Sequence, residues 1–184
     1  MDKNTLITIV VFIGILLLVG AYTFFVQQSA RLSERDAEAT STLNASEDTP
    51  YTDLEGNEFT FDSFKGQVRV VNAWASWCPF CTAELPDFEL LAQEFSEQDV
   101  AVIAINRKEP RERAVQFLDT VGTFTHTNFV VDLTDAYYIS VGGFSMPETV
   151  FYDSQGNITF HKRGAMTLQE MREHTQNAIN ATQQ

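Results

Sequence analysis

The stretch NAWASWCPFCTAELP, residues 72–86, contains both cysteines of this 184-residue chain, separated by two positions. It begins within VRVVNAW, a continuous apolar run of strand length and of the kind that is buried on both faces. From Pro79 onward, apolar residues recur every three or four positions, which is typical of an amphipathic helix. The stretch therefore predicts a buried strand that leads directly into a helix, with Cys78 at the helix N-cap and Cys81 one turn further on.

These positions predict different roles for the two thiols. Unpaired backbone N–H groups and the positive end of the helix dipole favour an anion at Cys78, so we expect its thiol pKa to fall below the free value of about 8.5. Cys78 is then the attacking thiol. Cys81, further along the helix and more buried, is the candidate resolving thiol that attacks the mixed disulfide and releases the product.

Two cysteines so close together can also have other uses. A purely structural disulfide would close so short a loop that it would constrain the unfolded chain little. A zinc site needs about four ligands, and beyond the two thiols the chain offers only His126, His161 and His174, scattered along the sequence. No metal site is therefore predicted, although Cu(I) held by both thiols and one distant histidine stays open, because soft thiolates suit that ion.

Four further residues qualify as candidates for the site. Glu84 lies one more turn along the predicted helix, either as an acid favoured by the helix dipole or as a proton acceptor for Cys81, and the two roles are compatible. Trp77 abuts the attacking cysteine and is expected to line a substrate groove, whereas Trp74 is expected to pack in the core. The Met146–Pro147 bond precedes a predicted strand and is a candidate cis peptide.

The elements after residue 50 predict a mixed sheet with helices on both faces, an α/β fold. A small hairpin around EGN is followed by the strands VRVVNAW, VAVIAIN and NFVVD, which alternate with helical patterns. Such alternation requires parallel pairing through right-handed crossovers. A late hairpin, PETVFYD to ITFHKR, adds antiparallel strands at one side, and TLQEMREHTQNAINA forms a closing helix.

The first 49 residues have a different composition. Residues 5–26 carry no charge over 22 positions, so residues 1–26 are predicted to be a transmembrane anchor, with a cleaved signal peptide as the alternative. Residues 27–49 lack aromatic residues and are rich in Ser, Thr, Ala and acids, which indicates a flexible linker, although a helical stalk fits the first half as well. Residues 50–184 form the predicted domain.

The formal charge of the chain, −13, disfavours nucleic acid as a partner.

Several motifs together resemble a known family. WASWCPFC resembles the Trp-x-x-Trp-Cys-x-x-Cys signature of the thioredoxin-like fold, and more narrowly of the membrane-anchored TlpA, ResA and CcmG/DsbE thiol-disulfide oxidoreductases. Glu84 lies where that group carries a glutamate, and Asn72 lies where ordinary thioredoxins have a buried aspartate. PETVFYDSQGNITFHKRG is similar to the segment after the family's cis-proline. The resemblance covers about residues 51–181.

The resemblance implies a site and an activity. It makes Pro147 cis and places it beside Cys78, with Met146 offering its backbone to an extended substrate as an added strand. Trp77, Pro79 and Phe80 complete the expected substrate-binding surface. Phe80 is a large aromatic residue in the dipeptide between the cysteines. Because this dipeptide influences the reduction potential, the resemblance implies no particular potential for this chain.

The implied protein is a single-pass membrane protein with its domain outside the cytoplasm. It would reduce disulfides of client proteins such as apocytochromes c, with electrons from a membrane donor and no bound cofactor beyond the Cys78–Cys81 pair. A peroxidase of the same fold and a copper chaperone are the alternatives. The peroxidase would need a lone cysteine in a Pro-x-x-x-Thr-x-x-Cys setting, where this chain has VNAWASWC.

Overall fold

A computed structural model describes residues 51–182 and, nearer the N-terminus, residues 20, 22–24 and 27–28, which are helical. Within these ranges, no helix combines the length and the apolar character that crossing a membrane requires. Most of the predicted anchor, residues 1–26, and of the predicted linker, residues 27–49, lies outside the described residues.

The elements from residue 51 onward follow the predicted order. The strands are β1 (Tyr51–Asp53), β2 (Glu58–Phe59), β3 (Val68–Trp74), β4 (Val100–Arg107), β5 (Asn128–Asp132), β6 (Glu148–Tyr152) and β7 (Ile158–Arg163). The helices are α1 (Pro79–Glu94), α2 (Arg111–Val121), α3 (Ala136–Ser140) and α4 (Leu168–Thr182), with a 3-10 helix at Phe61–Phe64 that the sequence patterns did not predict.

The strands form one mixed sheet in the order β2-β1-β5-β4-β3-β6-β7. β3, β4 and β5 are parallel neighbours, and the other pairs are antiparallel. Because the chain steps from β3 to β4 to β5 in one direction, right-handed crossovers place both connecting helices, α1 and α2, on the same face. The mixed sheet predicted from the alternating pattern is confirmed.

Side chains that alternate along the central strands form the core on both faces. On β3, Val70 packs in a cluster with Phe88 of α1 and Met171 of α4, whereas the next residue, Val71, packs with Phe61 and Tyr137 on the opposite face. Helical segments thus cover both faces of the sheet, with the longer helices on one side and the 3-10 helix and α3 on the other.

The register brings two distant segments to the same edge of the sheet. Cys78 follows the carboxyl end of β3, and the antiparallel strand β6 begins there, since Glu148 pairs with Ala73. Pro147, immediately before Glu148, is therefore level with the end of β3, from which the chain turns into α1.

Candidate active site

The two cysteines lie at the start of α1 and are joined as a disulfide, with 5.3 Å between their Cα atoms. Cys78 is the N-cap residue in an extended conformation, and its Sγ accepts a hydrogen bond of 3.2 Å from the backbone N–H of Cys81. Pro79 occupies the first helical position, where its missing N–H costs nothing. The predicted strand-to-helix geometry is confirmed, and both cysteines belong to a buried cluster.

Glu109 holds the loop between β3 and Cys78. Its carboxylate accepts hydrogen bonds from the backbone N–H and the hydroxyl of Ser76, at 2.7 and 2.6 Å, and from Nδ2 of Asn106 at 2.9 Å. Burial raises the pKa of Glu109, but these donors and the nearby Arg113 outweigh it, so the pKa lies below its ordinary value. The sequence prediction missed Glu109. The feature that could have indicated it is an acidic residue just after a buried strand, at the end of the sheet where the site lies.

A buried polar cluster lies one turn beyond Cys81. Asn72 of β3 donates its Nδ2 to Oε1 of Glu84 at 3.0 Å and to Oγ1 of Thr149 at 3.1 Å. The other carboxylate oxygen of Glu84 accepts the backbone N–H of Met166 at 3.1 Å. Glu84 is only 4% exposed, and Asn72 and Thr149 are fully buried.

The carboxyl of Glu84 is tuned to neutral pH. Burial raises its pKa from 4.5 to about 7, against the opposing effects of the Met166 and Asn72 hydrogen bonds. A carboxyl with this pKa accepts and releases protons near pH 7. Glu84 also follows Cys81 by three positions on α1, and both residues are buried, so the two share one side of the helix.

The peptide bond between Met146 and Pro147 is cis, as the resemblance implied. The carbonyl of Pro147 accepts the N–H of Gly164 at 2.8 Å, and the half-buried Met146 packs against the cluster that contains both cysteines. Trp77 and Phe80, on either side of Cys78, are 60% and 68% exposed.

The structure thus brings the predicted site residues to one edge of the sheet. Cys78 and Cys81 belong to the buried cluster against which Met146 packs, and Pro147 lies level with the end of β3. Pro79, like Trp77 and Phe80, is exposed. Trp74 is fully buried, as expected of a core residue.

Glu148 supports the loop before the cis-proline and was also missed. This buried carboxylate accepts the backbone N–H groups of Phe144 and Ser145, at 2.7 and 3.0 Å, on one oxygen. Its Oε2 atom lies 3.1 Å from Nε2 of His161. Its Oε1 atom, which accepts the two N–H groups, lies 3.6 Å from Nε of Arg163. The available signal was a glutamate at the start of a strand predicted to be buried, because a buried charge requires partners.

Of the three histidines, His126 and His161 contact carboxylates, and His174 stacks on the ring of Phe160. Nδ1 of His126 lies 3.0 Å from Oε1 of Glu89, and His161 contacts Glu148. Within residues 51–182 and the few described positions before them, no three His, Cys, Asp or Glu side chains are grouped so that they can hold a metal ion.

Fold and site together define a class. A Cys-x-x-Cys disulfide at a helix N-terminus, with a cis-proline level with the end of the preceding strand in a mixed sheet, makes this chain a thioredoxin-like thiol-disulfide oxidoreductase.

Comparisons with known proteins give the family. The sequence profile of the Redoxin family matches residues 36–179, and the chain therefore belongs to that family. The thiol-disulfide oxidoreductase ResA of Halalkalibacterium halodurans is 33% identical over 125 residues, which cover 66% of this chain and 68% of the relative. The thiol:disulfide interchange protein DsbE of Pseudomonas aeruginosa is 30% identical over 129 residues, covering 68% and 67%.

A solved structure supports the fold. A secreted Mycobacterium tuberculosis disulfide oxidoreductase, homologous to E. coli DsbE, superposes with a TM-score of 0.63 at 22% identity, covering 72% of this chain and 98% of the other. The predicted resemblance to ResA-type and DsbE-type oxidoreductases is confirmed.

Proposed function

We propose that this protein reduces disulfides of client proteins outside the cytoplasm, tethered to the membrane by its N-terminal segment, with apocytochromes c as representative clients. The observation that carries the proposal is the combination of a disulfide at a helix N-terminus with a buried carboxyl of pKa about 7 one turn behind it. This arrangement supplies a stabilised attacking thiolate and a nearby proton acceptor for the second thiol.

The reaction transfers two electrons and is balanced by the two cysteines. The Cys78 thiolate attacks one sulfur of the client disulfide, forms a mixed disulfide and releases the first client thiolate. Cys81 loses its proton to Glu84 and attacks Sγ of Cys78, which releases the second client thiolate. The client disulfide is thereby reduced, the Cys78–Cys81 disulfide forms, and the proton on Glu84 leaves to solvent or to the client.

Docking of the client is assigned to the loop at Met146. Among the described residues the backbone N–H and carbonyl of Met146 make no hydrogen bond, so both are available to an extended client segment that adds as a strand. Pro147 supplies no N–H, and its cis bond turns the chain at this point. The exposed surfaces of Trp77, Pro79 and Phe80 would contact the client around its cysteine.

The proposed location of the domain, at the membrane and outside the cytoplasm, rests on the N-terminal sequence. The 22 uncharged residues of segment 5–26 exceed the apolar core of a signal peptide, about 7–15 residues, and suffice to cross a bilayer. Residues 27–49 would serve as a linker, and the domain would lie outside the cytoplasm. The description of the mycobacterial relative as secreted supports this side of the membrane. The oxidised pair would be reduced again by a membrane dithiol donor, with no bound cofactor.

Trapping tests the proposal. The full-length Cys81→Ser variant should accumulate a mixed disulfide between Cys78 and client proteins, detected by non-reducing electrophoresis and mass spectrometry, whereas Cys78→Ser should trap nothing.

The reduction potential of the wild-type Cys78–Cys81 pair tests whether the protein reduces or oxidises its clients. A potential of about −120 mV, typical of strong oxidants, would contradict a reducing role.

A further inference from the structure

Phe144 is the most exposed large apolar side chain in the described part of the chain, at 85%. A ring left in water contributes almost nothing to folding, because the hydrophobic gain comes from area removed from water. Exposed apolar groups next to a reactive site are typical of a binding surface. Phe144 therefore needs an explanation other than stability.

Hydrogen bonds and a ring contact hold the backbone around Phe144 in place. Glu148 accepts the N–H groups of Phe144 and Ser145, and the hydroxyl of Tyr138 donates to the carbonyl of Ser145 at 3.0 Å. Gly143 lies flat on the Tyr138 ring, so closely that a Cβ there would come within 2.5 Å of ring atoms.

Tyr138 is itself fixed by a charged pair. The Arg107 guanidinium lies over its ring, 3.4 Å from the centroid, and forms an ion pair with Asp135. The exposed ring of Phe144 is thus presented by a preorganised loop, which loses little conformational entropy when a partner binds.

The position of this loop indicates the partner. Met146, two residues after Phe144, packs against the cluster that contains both cysteines, and its backbone is the proposed docking strand. Trp77 and Phe80 add exposed aromatic rings beside Cys78. The exposed ring of Phe144 thus lies two residues along the chain from the proposed docking strand, and the client segment that adds there is its proposed occupant.

We propose that Phe144 is a specificity-determining residue that binds an apolar side chain next to the client's cysteine. The site would then prefer unfolded clients whose disulfides are flanked by apolar residues, which are exposed only before such a client folds. This inference rests on the proposed function, since it concerns the same exchange reaction.

The test uses the full-length chain, reduced at Cys78 and Cys81, and two oxidised peptides with cysteines two residues apart. One peptide carries leucine beside each cysteine, and the other carries serine in the same places. With peptide in excess and one turnover per protein molecule, Phe144→Ala should raise about tenfold the leucine-peptide concentration that gives half the maximal rate. The maximal rate should stay unchanged, because the variant removes a contact made equally before and during the reaction. The serine peptide should be unaffected, which also shows that the variant is folded.

Two matched variants complete the design. Phe144→Leu should restore most of the affinity for the leucine peptide, and Ile158→Ala, at an isoleucine 51% exposed on β7, should change neither peptide. Equal effects of Phe144→Ala on both peptides, or none, would overturn the inference while the proposed function stands. A wild-type protein that reduces neither peptide would overturn both.

Discussion

Glu84 and Glu89 lie five residues apart on α1, yet their carboxyls are shifted in opposite directions. Burial raises the pKa of Glu84 to about 7. Burial also raises the pKa of Glu89, but three successive backbone N–H groups, from Thr125 to Thr127, with the side chain of His126, lower it to about 2. The difference teaches that burial and donors decide the outcome together. Glu89 is only half-buried and has more donors, so it stays charged, whereas Glu84 is almost fully buried and has two donors.

The two glutamates also differ in what they connect. Glu89 fastens the loop before β5 to α1 and remains ionised at every physiological pH. Glu84 has two donors, Asn72 and the N–H of Met166, and lies behind the disulfide, where a group that changes its charge near pH 7 has a use. One helix thus carries a carboxylate that holds a loop and another to which we assign proton transfer with Cys81.

The largest expected effect is on the rate at which the mixed disulfide is resolved, and it distinguishes Glu84 from Glu89. Glu84→Gln keeps the shape of the side chain but cannot take a proton from Cys81, so resolution of the mixed disulfide at pH 7 should slow by about 100-fold. The matched change on the same helix, Glu89→Gln, should leave that rate unchanged. Acid quenching followed by mass spectrometry measures the decay of the mixed disulfide. Equal slowing in both variants would remove the distinction between the glutamates.

The second effect is on stability as a function of pH. Since the folded pKa of Glu84 is raised from 4.5 to about 7, the folded state holds a proton there that the unfolded state has lost. The free energy of unfolding should therefore fall by about 3 kcal/mol as pH rises from 4.5 to 7. Urea unfolding of the oxidised wild type and Glu84→Gln at several pH values measures the slope. The same slope in both proteins would show that Glu84 is not its source.

Glu89 should show the opposite dependence and a smaller effect. Its folded pKa is lowered from 4.5 to about 2, so its contribution is present above pH 4.5 and is lost as pH falls toward 2. Glu89→Ala should destabilise the protein at pH 7 by about 2 kcal/mol, because it leaves three N–H groups without their charged acceptor. Glu97→Ala, at an exposed glutamate, is the control in the same urea titration. A loss as large at pH 2 as at pH 7 would refute this assignment.

The smallest effect concerns Thr149, which helps to orient Asn72. Thr149→Val keeps the volume but removes the oxygen that accepts one N–H of Asn72, and it should cost about 1 kcal/mol of stability. Thermal or urea unfolding measures the loss, with Thr52→Val on β1 as a control at an exposed threonine. An unchanged stability would mean that Asn72 needs no second acceptor.

The sequence was most informative where local rules apply. The position of Pro79, the spacing of apolar residues along α1 and the alternation of strands and helices predicted the mixed sheet and the location of Cys78, because each depends on neighbours in the chain. The cis bond before Pro147 came from the family resemblance, since a proline alone leaves both isomers open.

Long-range contacts explain what was missed. Glu109 and Thr149 act on residues 33 and 77 positions away, and only the strand register brings the more distant pair together. A charge within a buried strand signals that a partner exists, but it does not identify the partner. The candidate role of Glu84 was predictable, whereas its protonation near neutral pH required the burial that the folded chain creates.

Gly143 and Phe144 are adjacent but should differ sharply in how they tolerate change during evolution. At Gly143 the Tyr138 ring leaves no space for any side chain, while the ring of Phe144 points into water and its backbone is held by hydrogen bonds that every residue except proline can make. Relatives can therefore exchange the residue at position 144 without rebuilding the loop. The set of clients could diverge by a single substitution, while the machinery of disulfide exchange stays the same.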